Sequence, residues 1–248
     1  MADKEQSKKE INAIIIASLV LGFVFGFDDK SSVFIPSYWV QNYVQQAILS
    51  LLFILLSIRI TKAYAEKQGI TTTFSIWRLK RIGLSAKAVL KGNGFPLGIF
   101  LPLFITVLSF GKIFFASIIS PTFSYTTTSR FGKKIVNPRE AEIATISLVG
   151  PLSLTLLGIF LSSLNGTGLN NLSMIPFTIA ISSMIPFGTL NGMNILIGSP
   201  VRYVLAVIFI LATFLLTFVT GPLASIILGL IASALLTATH YIYSYVFK

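Results

Sequence analysis

The sequence predicts an all-α polytopic membrane protein. About six transmembrane helices are expected, with an apolar segment at 95–120 that enters and returns, and a small cytoplasmic β-hairpin at 122–136. Three observations predict it. Hydrophobic residues make up 54% of the 248 and charged residues only 11%, with a mean hydropathy of +0.84, against about a quarter charged in soluble domains. Apolar runs of spanning length recur along the chain. None of the eight acids (Asp3, Glu5, Glu10, Asp28, Asp29, Glu66, Glu140, Glu142) lies inside a long apolar run.

The elements follow in order. Residues 11–27, "INAIIIASLVLGFVFGF", read as a membrane anchor rather than a signal peptide, because no small-residue cleavage pattern follows Phe27. Gly22 and Gly26 form a GxxxG pair suited to close helix packing. A second helix runs from about Tyr38 to Thr61 and continues as an amphipathic helix until Gly69 stops it. "ITTTFSI" reads as a short strand, and "IWRLKR" as a headgroup-level stretch with Trp77 as interfacial anchor. The run 95–120 is broken by Pro96, Pro102, Gly111 and Lys112. After Pro121 the Thr-rich stretch suggests a hairpin turning at Ser-Arg-Phe-Gly. Pro138, Glu140 and Glu142 suit the start of a helix reaching about Leu164. Further helices are expected over 172–190, 202–220 and 222–245, and the whole of 1–248 reads as one integral membrane domain.

Charge sets the expected topology. Eight basic residues (Arg59, Lys62, Lys67, Arg78, Lys80, Arg81, Lys87, Lys91) lie between the second apolar run and 95–120, and Arg130, Lys133, Lys134 and Arg139 follow the latter. The positive-inside rule places both groups in the cytoplasm. A plain crossing of 95–120 that violates the rule is the competing expectation. Both flanks can be cytoplasmic only if 95–120 enters and returns, or forms a short hairpin, with Lys112 near the bend or snorkelling outward. Both termini are then cytoplasmic. The net charge of +11 is read as contact with anionic lipid at the basic loops. Nucleic acid is not expected as a partner, since no basic, aromatic-bearing soluble domain exists to carry it.

Composition also narrows the chemistry. With no cysteine and His240 as the only histidine, thiolate metal sites and cysteine nucleophiles are excluded. A Ser–His dyad would need His240 opposite a serine in a Gly-x-Ser-Gly turn, and the sequence has no such turn. No cofactor is implied.

Three stretches carry a resemblance. "SMIPFGTLNG" places Ser183, Pro186, Leu190, Asn191 and Gly192 at the spacing of N-x-x-P-x-x-x-L-D-G. "ISLVGPLSL" keeps Gly150 and Pro151 of an A-G-P-x-x-N helix but has Leu154 at the Asn position. Counting back from Gly69, Ser57, Ile58 and Thr61 stand where H-E-x-x-H would place its two His and its Glu. Together, over about 43–200, these resemble the site-2 protease family of intramembrane zinc metalloproteases. The helices at 11–27, 202–220 and 222–245 carry no part of the match.

The resemblance implies a protease-like core with its metal positions emptied. Two imidazoles, a carboxylate and a general base are what that chemistry needs. Ser57, Ile58, Thr61 and Asn191 supply none of them, so no catalytic residue, no metal and no enzyme activity are expected. The family helix ends imply that Ser57, Thr61, Ser183, Asn191 and Gly192 approach one another. They would form a polar cluster bonded across helices, or a cleft that binds a membrane protein or peptide without cutting it. A transporter or channel component, or a structural subunit of a membrane complex, is the competing expectation, and an active metalloprotease the remotest.

Overall fold

The computed structural model describes residues 2–28, 35–79, 94–125, 138–164 and 171–246. The chain is mostly helical. Five helices are long and apolar enough to cross a membrane: α1 (Ala2–Gly26), α2 (Pro36–Lys67), α4 (Glu140–Leu164), α7 (Pro200–Thr217) and α8 (Pro222–Val246). At 1.5 Å per residue the 32 residues of α2 extend for about 48 Å, well beyond a hydrocarbon core of about 30 Å.

α1 and α2 pack as neighbours at their small residues. A Cβ built on Gly22 would lie 2.6 Å from Ala47 Cβ, so the expected packing face of α1 is turned onto α2. The N-terminal turns of α2 close the carbonyl end of α1. Asn42 Nδ2 donates to the Gly26 carbonyl and Trp39 Nε1 to that of Phe27, serving acceptors that a helix end leaves open.

Between α2 and α4 the chain makes β1 (Ile70–Ile76), the short helix α3 (Leu97–Leu108) and β2 (Ile119–Tyr125). α3 has 12 residues, about 18 Å, too short to cross a bilayer. It stops at a turn through Phe110 and Gly111, both at positive φ, and the chain returns in extended form to β2. The excursion starts and finishes at one place. Trp77 N donates to the Ile118 carbonyl, Gly98 N donates to the Trp77 carbonyl, and Gly98 has room only for its hydrogen against Ile118 O. The segment 95–120 is therefore an out-and-back unit with exposed Lys112 at its turn.

The sheet differs from the expected hairpin. β2 begins at Ile119 rather than 122 and pairs antiparallel with β1, from Ile70 opposite Tyr125 to Ile76 opposite Ile119. The closed excursion delivers a β-rich strand to β1, which meets the need of its backbone groups for partners. The expected return strand and its turn, within 126–136, lie outside the described residues.

A second difference falls on the helix expected over 172–190. α5 (Asn171–Ser183) ends seven residues early, and a separate helix α6 (Asn191–Gly198) follows a turn. Pro186 explains the break: it has no N–H for the Ser182 carbonyl, its ring would crowd that carbonyl, and it biases Ile185 away from helical angles. With 13 residues, α5 spans about 20 Å. Hence five helices, not six, have crossing length among the described residues. The main core joins side chains of α1, α2, α4, α5, α6 and α7 to Ala116 and Ile118 of the returning strand.

Candidate functional site

α2, α4, α5 and α6 converge on a cavity of about 60 Å³, closed on another side by the returning strand. Its lining includes Ser57 and Ile58 from α2, Pro151 and Leu154 from α4, Ser183 from α5, Asn191 from α6 and Ser117 from the strand. Leu21 of α1 and Phe74 of β1 complete the apolar part of the wall. No charged side chain lines it.

Ser57 reaches this place because α2 runs unbroken past it. Ser57 and Thr61, one turn apart on one face, both lean toward Gly150: a Cβ there would sit 3.1 Å from Ser57 Oγ and 3.2 Å from Thr61 Oγ1. Asn191 reaches it through the α5–α6 turn. Gly188 takes φ +60 there, an angle open to glycine at little cost. Gly192 then passes against the Met184 carbonyl so closely that no side chain would fit. Tyr203 Oη donates to that same Met184 carbonyl at 3.1 Å, serving an acceptor that the end of α5 exposes.

Of the residues expected to meet, Ser57, Ile58, Ser183 and Asn191 share the cavity wall. Thr61 is buried one turn away, and Gly192 serves the crossing of two backbones. The expected hydrogen bonding across helices is not what Thr61 and Ser183 do. Thr61 Oγ1 donates to the Ser57 carbonyl at 2.8 Å and Ser183 Oγ to that of Ala180 at 2.8 Å. Both bonds lie within one helix, the local option open to hydroxyl side chains whose backbone acceptors are within reach. The cross-element bond comes from Ser182, whose Oγ accepts from Ala116 N at 3.0 Å and ties the returning strand to α5.

Trp77 is buried within the protein, 2% exposed, and packed with Phe115 and Leu190. Its ring meets Phe187 edge-on at 5.6 Å, and its Nε1 lies 2.6 Å from where a Gly188 Cβ would be. The tryptophan thus joins the start of the excursion to the α5–α6 turn. Ser117, Ser182 and Trp77 had no motif to mark them; their roles come from chain segments distant in sequence.

The donor set does not fit zinc. Two hydroxyls, an aliphatic chain and a carboxamide at Ser57, Thr61, Ile58 and Asn191 offer neither imidazole nor carboxylate. Among the described residues no group of three or more His, Cys, Asp or Glu side chains comes together. His240 falls on α8, and its side chain lies outside the described set. What the arrangement offers is hydrogen bonding in an apolar enclosure. Comparison with protein-family models, with curated proteins and with solved structures finds no match for this chain.

Proposed function

We propose that this chain is a non-catalytic membrane protein of site-2-protease-like architecture that binds or regulates a membrane partner at this cavity. One observation carries the reading: Ser57, Ile58, Ser183 and Asn191, aligned with the family's metal-binding helix ends, line one cavity although they come from three helices. Kept convergence with neutral donors favours binding over hydrolysis. The partner enters as a transmembrane or extended protein segment. Pro121 marks β2 as an edge strand. It faces Phe74, whose N–H points to Glu10, so the partner pairs beside the cavity rather than along the whole edge.

In this reading 95–120 dips into the bilayer and returns, α5 and α6 form a broken sixth crossing, and both termini lie in the cytoplasm. The basic loops rest on anionic lipid. Total metal analysis of the purified, tag-free protein tests the emptied site. We expect below about a tenth of an equivalent of zinc, the level of a chain without ligands; a full equivalent overturns the reading. Partner binding is tested with a photocrosslinker at Ile119 in native membranes. A discrete protein adduct that disappears when Ser57→Leu fills the cavity is expected, and an adduct indifferent to that substitution argues against it.

The break between α5 and α6 also favours a second reading, a transporter component, since interrupted helices line many substrate sites. Against it stands a cavity wall with no charged residue. Solute uptake by proteoliposomes that is lost on Asn191→Ala would move this reading to the front.

A further inference from the structure

The excursion between β1 and β2 runs along α1, and three contacts measure how far. At its base Phe74 of β1, opposite Pro121 of β2, donates its N–H to Glu10 Oε1 of α1. Farther out, the Phe114 ring of the returning strand lies 5.6 Å from that of Phe25. At the turn, a Cβ on Gly111 would lie 3.0 Å from Phe27 Cδ1 and 3.2 Å from Asp28 Cβ. Between Glu10 and Asp28 the α1 segment rises about 27 Å, close to a hydrocarbon core of about 30 Å. The excursion's own lengths agree: about 10 Å of strand from Pro121 to Ile118, then about 18 Å of α3. The far end of α1 carries the marks of a membrane boundary. The sequence there reads Asp28-Asp29-Lys30. Trp39, stacked on Tyr43 at 5.8 Å, donates to the Phe27 carbonyl, and such aromatic residues line headgroup layers.

We infer that the turn at 110–112 reaches the leaflet opposite the two ends of the excursion and anchors there, with Lys112 on a lipid phosphate. The side chains select that depth. Phe110 and Ile113 are 76% and 62% exposed, which suits hydrocarbon and not open water. Lys112 between them is exposed as well, and a cation held in mid-bilayer is expensive. Only the headgroup boundary satisfies all three, with the rings and aliphatic carbons below and the ammonium above. Among the described residues no carboxylate pairs with Lys112, which leaves its ammonium for a phosphate oxygen. A shallow dip would instead bring Gly111 beside the middle of α1. The inference rests on the reading in which 95–120 returns to the side it left, and adds to it the depth of the turn and its lipid contact.

The test uses the full chain, which has no cysteine, oriented in phosphatidylglycerol vesicles. A membrane-impermeant maleimide should label Lys112→Cys from the side opposite to Arg139→Cys. Labelling from the same side as Arg139→Cys, or from neither side, overturns the inference. The reading beneath it fails separately, when Arg78→Cys and Arg139→Cys label from opposite sides. A nitroxide on Ile113→Cys reports the lipid contact. The ratio of immobilised to mobile label should fall about fivefold when Lys112→Gln is added, the weight of one basic side chain at an anionic surface. Lys112→Arg should keep the ratio. In phosphate-free galactolipid vesicles the label with Lys112 in place should behave as it does with Lys112→Gln. A ratio indifferent to both the substitution and the lipid means that something other than lipid phosphate holds the turn, and overturns the contact.

Discussion

Gly188 and Trp77 are tied to each other by a contact that neither residue advertises. Gly188→Ala would put a side chain at φ +60 and within 2.6 Å of Trp77 Nε1. The backbone strain and the clash together should cost about 2–4 kcal/mol, read as an earlier unfolding midpoint in detergent. In a Trp39→Phe background the emission of Trp77 reports the same contact. Acrylamide should quench it poorly in the parent and well in Gly188→Ala. Quenching of the parent as strong as that of free indole would refute the buried placement. The sequence suggested a headgroup-level tryptophan because Arg78, Lys80 and Arg81 surround it. Burial depends instead on Phe115, Phe187 and Leu190, which no local pattern assigns to it.

At the scale of elements, the two-stranded sheet is braced by α1. Glu10 Oε2 pairs with Lys62 Nζ at 2.7 Å, while Oε1 accepts from Phe74 N at 3.2 Å. One carboxylate thereby joins α1, α2 and the free edge of β1. The Glu10 side chain is 13% exposed and that of Lys62 29%, so the pair is screened less than an open surface bridge. A double-mutant cycle of Glu10→Ala and Lys62→Ala should give a coupling of about 1 kcal/mol. Glu10→Gln should lose that coupling yet keep much of the stability, because its amide oxygen still serves Phe74. A cycle that sums to zero would mean that the pair contributes nothing. β1 was readable from its β-branched run and α4 from its acidic first turn. The α5–α6 break was only half readable: Pro186 announces a stop, but the restart at Asn191 depends on Gly192 passing the Met184 backbone.

For the whole molecule, the excursion between β1 and β2 is the feature that topology turns on. Its start and finish meet at Gly98 and Ile118. The chain has no cysteine, so single cysteines can be placed without background. A membrane-impermeant maleimide should label Arg78→Cys and Arg139→Cys from the same side of oriented vesicles. Labelling from opposite sides would mean that 95–120 crosses once. By itself the sequence determined that helices long and apolar enough to cross a membrane recur, through its apolar runs and scarcity of charge. It also marked several helix boundaries, through prolines and glycines acting within a few residues. Only the tertiary structure decided that β2 pairs with β1, that Trp77 is buried, and that Ser182 ties the returning strand to α5. Those outcomes depend on contacts between segments far apart in sequence, where many pairings satisfy the local pattern and packing selects one.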